Sequence, residues 1–193
     1  MTEPAAAAAV LRAIGLAGQA EVATVACNTG STTDATTAIV QAAEAAELVV
    51  AGPRGYRLTA DGRAQVADAL AAERAALDPA VTLDLYQRFG AIDRKFKELV
   101  TEYQLSDAPT RLSWAVAGMT DVHPAVQELV ARATDLVPRL APYRARFDDA
   151  MAHLRRGDEK YLVSVTLDSY HTIWFQFHEE LIEMAGRTRA DEE

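Results

Sequence analysis

Residues 47–59, ELVVAGPRGYRLT, are the one segment of the chain whose pattern predicts β-structure. Two short extended runs flank Gly-Pro-Arg-Gly. Glycine and proline are typical turn residues, because glycine tolerates φ angles that other residues avoid and proline fixes its own φ. We predict strands at about 48–51 and 55–59. Elsewhere the chain is rich in alanine, with glycine and proline mostly at apparent boundaries, which predicts a mainly helical protein.

Helical segments lie on both sides of this hairpin. Three are predicted before it, within residues 5–18, 19–30 and 31–49. Ser31, Thr32 or Thr33 caps the third helix, whose apolar residues recur at helical spacing: Ile39, Ala42, Ala43 and Ala46. Thr59 caps a fourth helix that runs from residue 60 to 78. That helix ends there because the residue before a proline, here Pro79, avoids the helical conformation.

This order of helix, helix, helix, hairpin and helix is that of a winged helix-turn-helix. AEVATVACNTGSTTDATTAIVQAAEAAELV (20–49) resembles the helix-turn-helix of MarR-like and ArsR-like regulators, and GYRLTADGRA (55–64) resembles the wing and the helix that follows it. The resemblance implies a winged-helix domain at residues 1–78. In that fold the third helix enters the DNA major groove.

The candidate DNA contacts include few basic residues. Bases are read mainly by Arg, Lys, Asn and Gln, and residues 32–47 contain no Arg and no Lys. On the third helix the candidates are Thr32, Thr33, Thr36, Thr37 and Gln41. On or beside the hairpin they are Arg54, Arg57 and Arg63, which could hold phosphates or reach a minor groove. Alternatively, the hairpin packs on a partner protein and its arginines are simply solvated.

Net charge also opposes long-range attraction to DNA. The chain carries −9; residues 1–78 contribute five Arg against nine Asp/Glu, or −4, and residues 79–193 contribute 14 basic against 19 acidic residues, or −5. Neither half would attract a phosphate backbone at a distance. A homodimer would bring together two hairpins with their arginines, which raises the local positive field.

Residues 79–193 are predicted to form an α-helical bundle. A helix at 80–104 has one apolar seam: Leu85, Phe89, Ile92, Phe96, Leu99 and Tyr103. Its basic residues are interpreted as a salt-bridged solvent face: Arg88, Arg94, Lys95 and Lys97. Residues 105–122 are interpreted as a linker with a short helix at 112–116. Two further helices are predicted, one to about residue 136 and one ending before Gly157, with this stripe: Leu140, Tyr143, Phe147, Ala150 and Leu154.

The last helix, capped by Asp168 or Ser169 and ended by Gly186, has two adjoining stripes. The first is Tyr170, Trp174, Phe177, Leu181 and Met184; the second is His171, Phe175, His178 and Ile182. This pattern predicts burial over most of the helix surface. Two hypotheses remain open for the histidines. Either both hydrogen-bond to core carboxylates or carbonyls, or a small-molecule pocket is lined by Tyr170, His171, Trp174 and His178.

The sequence does not favour catalysis or metal binding. His171 and His178 are seven residues apart, about 10 Å along a helix, so they cannot hold one ion without help. No nucleophile elbow, phosphate loop or paired-acid motif is present. We expect a non-enzymatic protein without a cofactor or metal. The single cysteine, Cys27, and the absence of a signal or membrane segment predict a cytoplasmic location.

LDSYHTIWFQFHEELIEMAGRTRAD and FGAIDRKFKELVTEYQ resemble a helical region of actinobacterial proteins that carry a winged-helix segment before it. Such proteins are small stand-alone chains or accessory regions of phosphoenolpyruvate-utilising phosphotransfer enzymes. Two functions follow as expectations. One is a dimeric transcriptional regulator whose helical half dimerises or senses a ligand. The other is an accessory protein that docks a partner enzyme through a winged helix without DNA binding.

Overall fold

The computed structural model of the protein describes residues 2–188. It is mainly helical and has one small antiparallel sheet. The chain divides into two compact units, residues 1–77 and 78–193. The division falls between Leu77 and Asp78, and Asp78 is the N-cap of the helix that begins at Pro79.

The N-terminal unit contains the predicted hairpin within a set of helices. Its described elements are α1 (Glu3–Ala17), α2 (Val22–Thr29), α3 (Thr33–Ala45), β1 (Val49–Gly52), β2 (Gly55–Leu58) and α4 (Ala60–Ala75). β1 pairs antiparallel with β2, from Val49 opposite Leu58 to Gly52 opposite Gly55. The predicted two-stranded sheet is therefore confirmed to within one residue at each strand end.

Local chemistry sets the ends of these helices. Thr32 Oγ1 accepts a hydrogen bond from the Ala35 amide at 3.2 Å and caps α3. Thr59 Oγ1 accepts one from the Gly62 amide at 3.0 Å and caps α4. α2 is closed by Gly30, whose φ of 63° lies in the left-handed region that glycine adopts most easily. Side-chain acceptors at N-caps satisfy amides that have no partner inside the helix.

The core of the N-terminal unit collects branched residues from all of these elements: Val10, Leu11, Ile14, Val25, Val40, Val49, Leu58, Val66 and Leu70. On α3 the buried residues are Thr36, Val40 and Ala43. The predicted stripe on this helix is wrong in part, because Ala42 and Ala46 are exposed. A methyl group buries little area, so alanine positions define the inward face of a helix less strongly than a branched residue does.

The turn from α3 into β1 packs closely on the start of α4. Glu47 has a φ of 60°, the only positive φ at a described residue other than glycine. Its carbonyl accepts the Thr59 hydroxyl at 2.7 Å, and the Leu48 carbonyl accepts the Thr59 amide at 3.0 Å. A Cβ atom at Gly62 would collide with the Leu48 carbonyl oxygen. The glycine in Thr-Ala-Asp-Gly is therefore explained by this close approach of two backbone segments.

The C-terminal unit is built from helices alone over its described residues. They are α5 (Pro79–Leu105), α6 (Arg111–Leu136), a 3-10 turn (Pro138–Leu140), α7 (Pro142–Arg155), α8 (Lys160–Val163) and α9 (Tyr170–Met184). α5 packs on α6 and α9, and α7 packs on α6, α8 and α9. No helix within residues 2–188 combines the length and the apolar composition needed to cross a bilayer.

The prediction of a linker at 105–122 holds only for residues 106–110, which lie outside any helix, and is wrong from residue 111 onward, where the short helix predicted at 112–116 is part of a long one. α6 begins at Arg111 and continues through Pro124, and Ala115, Met119 and Val122 are buried along it. Proline removes one helical hydrogen bond, but the buried residues on both sides keep the helix continuous. A Cβ atom at Gly118 would collide with Leu99 of α5. Gly118, one of the small residues that suggest a linker, therefore lies at a close contact between two helices.

The apolar stripes of α7 and the first stripe of α9 are buried as predicted. On α5 the buried residues differ from the predicted apolar seam at two positions. Asp93 and Val100 are buried, while Ile92 and Leu99 are half-buried. The second stripe of α9 is wrong in part, since Phe175 is 46% exposed and His171 is half-buried. Ser169 is the residue that caps α9, accepting from the Thr172 amide at 3.2 Å.

Candidate functional sites

The exposed side of α3 carries small polar side chains. Thr33 and Gln41 are exposed, and Thr37 is half-buried with its hydroxyl donating to the Thr33 carbonyl at 2.7 Å. Thr32 serves as the N-cap. Thr36 departs from the prediction, because its side chain is fully buried and its hydroxyl donates to the Thr32 carbonyl at 2.9 Å. Thr36 is therefore a core residue rather than a surface contact.

The hairpin places two arginines at the surface. Arg57 lies opposite Val50 in the sheet register, and both side chains are exposed. Their neighbours Val49 and Leu58 are buried in the core. Since successive side chains of a strand point to opposite faces, this alternation turns Arg57 outward. Arg54 is exposed in the turn between β1 and β2.

Arg63 lies in the first turns of α4 and is tied to the hairpin. Its Nη1 atom donates to the Leu58 carbonyl at 3.1 Å, although the residue as a whole is exposed. One guanidinium nitrogen is thereby held beside the end of β2. The group has further donors, so it can support the hairpin and still face an anion.

Acidic residues accompany these candidates. Asp34, Glu44 and Glu47 are exposed on α3 and in the turn after it. No Lys or Arg occurs between residues 13 and 53. The charge of the exposed side of α3 therefore opposes phosphate, and the positive groups of the N-terminal unit are concentrated at the hairpin and on α1 and α4.

In the C-terminal unit, Tyr170 and Trp174 are core residues whose polar atoms already have protein partners. The Trp174 indole nitrogen donates to Asp93 Oδ1 at 2.9 Å, and the ring stacks on Phe89 with centroids 4.7 Å apart. The Tyr170 hydroxyl lies 3.1 Å from His123 Nδ1. Burial, with the charge of Asp148, raises the pKa of Tyr170 far above its ordinary value, so the phenol stays protonated.

The two histidines of α9 have different surroundings. His178 is buried and stacks on Phe89, with ring centroids 4.4 Å apart, and on Tyr86. His171 is half-buried, and its Nδ1 atom is enclosed without a hydrogen-bond partner in the described part of the chain. The geometry favours core roles for Tyr170, Trp174 and His178. Of the four residues predicted to line a pocket, only His171 has a buried polar atom without a hydrogen-bond partner in the described part of the chain.

A hydrogen-bond network centred on the buried His123 and ending at the exposed Asp148 was missed by reasoning from the sequence. His123 Nε2 lies 3.0 Å from Asp148 Oδ1, and its Nδ1 faces Tyr170. Gln127 Nε2 also donates to Asp148 Oδ1, at 2.9 Å. This hydrogen-bond network joins α6, α7 and α9. The available signal was that His123, Val126 and Val130 occur at helical spacing on one face of α6.

Two charged pairs near α9 were also missed. Arg146 is buried, donates to both carboxylate oxygens of Asp168 at 2.9 and 2.6 Å, and donates to Gln176 Oε1 at 2.6 Å. Arg139 pairs with the buried Glu180 at 2.9 Å. A buried charge requires such compensation. These groups are therefore committed to packing the helices.

The described residues contain no group of three or more His, Cys, Asp or Glu side chains placed to hold a metal ion. No protein-family model matches the sequence, and no curated protein or solved structure shows significant similarity to it. Function is therefore inferred from the surfaces of the N-terminal unit and the packing of the C-terminal unit.

Proposed function

We propose that the N-terminal unit is a winged helix-turn-helix that binds duplex DNA, in a regulator whose C-terminal unit dimerises or responds to a ligand. The observation that carries the proposal is the hairpin, with Arg57 turned away from the core and Arg54 at its tip, directly after a three-helix segment. α3 would enter the major groove, where Thr33, Thr37 and Gln41 are the side chains able to contact base edges or phosphates.

In this proposal the arginines supply affinity and α3 supplies limited base recognition. Phosphate contacts position a protein on DNA and carry little sequence information. Removing one arginine–phosphate interaction should reduce the slope of log affinity against log salt concentration by about 0.9. Arg54→Ala and Arg57→Ala should therefore weaken binding to all sequences and flatten its salt dependence.

The test is fluorescence anisotropy on genomic fragments enriched by the wild-type protein, measured over a series of salt concentrations. Arg94→Ala is the matched control, because it removes the same charge from an exposed position of α5. Undiminished, salt-insensitive binding by the Arg54→Ala/Arg57→Ala double variant would reject the role of the hairpin.

The charge of α3 favours a second candidate function. Asp34 and Glu44 are exposed on a helix without Lys or Arg, a pattern suited to a basic protein surface rather than to phosphate. In this alternative the N-terminal unit docks a partner enzyme, for which a phosphoenolpyruvate-utilising phosphotransferase is the candidate.

Glu44→Lys separates the two functions. If α3 faces DNA, the substitution replaces a repulsive charge with an attractive one and should strengthen DNA binding. If α3 faces a basic protein surface, the same substitution should abolish capture of that partner and create no useful DNA affinity. Both readouts can be taken from one pull-down experiment on native extract in which DNA and protein are recovered together.

A further inference from the structure

Both glycines of Gly-Pro-Arg-Gly contact the segment that joins α1 to α2. A Cβ atom at Gly55, whose φ is 100°, would collide with the backbone of Ala20. A Cβ atom at Gly52 would collide with the side-chain amide of Gln19. The glycines therefore do more than close a turn: they let residues 19–20 lie directly against the hairpin.

Three hydrogen bonds connect this segment to the hairpin. Ala20 and Tyr56 exchange backbone hydrogen bonds of 3.0 and 2.8 Å, forming an isolated bridge beside β2. The Gln19 side-chain amide reaches over the hairpin and donates to the Gly55 carbonyl at 3.1 Å. Gln19 is half-buried, so its bond is partly shielded from water. It lies beside the two-residue turn that holds Arg54.

We propose that Gln19 is a positioning residue that holds the arginine-bearing hairpin in one orientation. The hairpin has only four residue pairs, and an isolated two-stranded hairpin is marginally stable in water. Its order therefore depends on contacts outside the two strands. Gln19 supplies the side-chain contact nearest the turn and acts on Arg54 and Arg57 through the backbone, without touching a ligand.

Two substitutions at Gln19 and one at Gly52 test this role. Gln19→Met keeps most of the side-chain volume and loses the hydrogen bond, and Gln19→Ala loses both. Gly52→Ala leaves Gln19 in the chain and displaces its amide, because the added methyl group occupies that place. Gln65→Met makes the same chemical change at an exposed position of α4 and is the matched control.

The first readout is amide hydrogen exchange of Tyr56 and Ala20, with the amides of Leu11 and Ile14 in α1 as the reference. Loss of the hydrogen bond from Gln19 should raise the exchange rates of the Tyr56 and Ala20 amides about fivefold. Because the same bond is also lost on global unfolding, the reference amides should accelerate by no more than that factor and the unfolding midpoint should fall only slightly. A role in packing alone would leave exchange unchanged in Gln19→Met, which keeps the side-chain volume, and would be seen only in Gln19→Ala.

Coupling between the sites gives a second readout. Gly52→Ala should accelerate exchange of the Tyr56 and Ala20 amides in the wild-type background. In the Gln19→Ala background it should add nothing, because the amide that the new methyl group would displace is already absent. Equal effects of Gly52→Ala in both backgrounds would show that it acts without Gln19 and would overturn the proposal. Unchanged hairpin exchange in Gln19→Met would overturn it as well.

The third readout, DNA affinity, rests on the proposed function. Gln19→Met should weaken DNA binding by at most the factor by which it raises the exchange rates of Tyr56 and Ala20. The dependence of binding on salt concentration should be retained, because Arg54 and Arg57 both remain. If Arg57→Ala weakens binding and Gln19→Met does not, the positioning role is wrong. If the wild-type protein binds no DNA, the proposed function fails, and exchange and coupling alone decide the role of Gln19.

Discussion

Replacing Trp174 tests which contacts stabilise the packing of α9 on α5 in the C-terminal unit. The indole ring is 4% exposed and packs between Phe89 and Phe96 of α5, with centroids 4.7 and 5.0 Å away. Its nitrogen donates to Asp93 Oδ1, and Lys97 contacts the other carboxylate oxygen at 2.6 Å. The Lys97 side chain is 67% exposed, so the indole is the buried partner of this carboxylate.

The magnitude follows from these contacts. Trp174→Phe retains an aromatic ring and removes the donor to a buried carboxylate, a bond that contributes about 1.5–3 kcal/mol. The smaller ring adds about 1 kcal/mol if the space stays empty. We therefore expect Trp174→Phe to destabilise the unit by about 2.5–4 kcal/mol. Trp174→Ala should cost about 3–5 kcal/mol from reduced packing alone.

Urea denaturation measures the change. The chain has two tryptophans, Trp114 and Trp174, and both belong to the C-terminal unit. Trp114 fluorescence therefore still reports this unit after Trp174 is replaced. Trp114→Phe is the matched control: its side chain is 41% exposed, and surface substitutions usually change stability by no more than about 0.5 kcal/mol.

A double-mutant cycle with Asp93→Ala isolates the hydrogen bond. The two sites contact each other, so the cycle should give a coupling energy of about 1.5–3 kcal/mol. The exposed Lys97 pair should add at most about 1 kcal/mol to the effect of Asp93→Ala. Additive losses, or a Trp174→Phe variant as stable as the Trp114→Phe control, would refute the argument that this bond stabilises the α5–α9 interface.

Three further predictions concern single residues. Glu47→Gly should stabilise the N-terminal unit by about 1 kcal/mol, since glycine adopts its positive φ without strain; Glu47→Gln, which removes only the charge, should not. Gly62→Ala should lower the thermal midpoint because its Cβ atom meets backbone, whereas Gly90→Ala in α5 meets nothing within 4 Å and should gain about 0.5–1 kcal/mol. The hydrogen bond from Tyr103 holds the pKa of Glu159 below its ordinary value of 4.5, so its stabilisation is present at neutral pH and lost as the pH falls below that value. Acid titration of unfolding should therefore show a weaker pH dependence for Tyr103→Phe; an unchanged profile would contradict this.

Local sequence determined the type and the limits of most elements. The cap at Thr59, a cap at Asp168 or Ser169 and the stop at Gly30 act over one helical turn, so they could be identified without knowing the fold. Pro79 correctly indicated a break between two helices, but α4 ends at Ala75, three residues before the predicted limit. The first apolar stripe of α9 and that of α7 were predicted for the same reason. Their helical spacing is a property of neighbouring residues and survives any particular packing.

Tertiary structure decided what depends on residues far apart in the chain. The helix at 111–122 contains residues typical of a linker, and it persists because its buried face packs against other helices. Asp93 is buried because Trp174, 81 residues away, provides a donor. Thr36 was predicted to contact DNA, but the packing of the N-terminal unit buries its side chain. Gly52, Gly55 and Gly62 were identifiable as turn or helix-start residues, but the backbone and side-chain groups they must not touch become neighbours only in the folded unit.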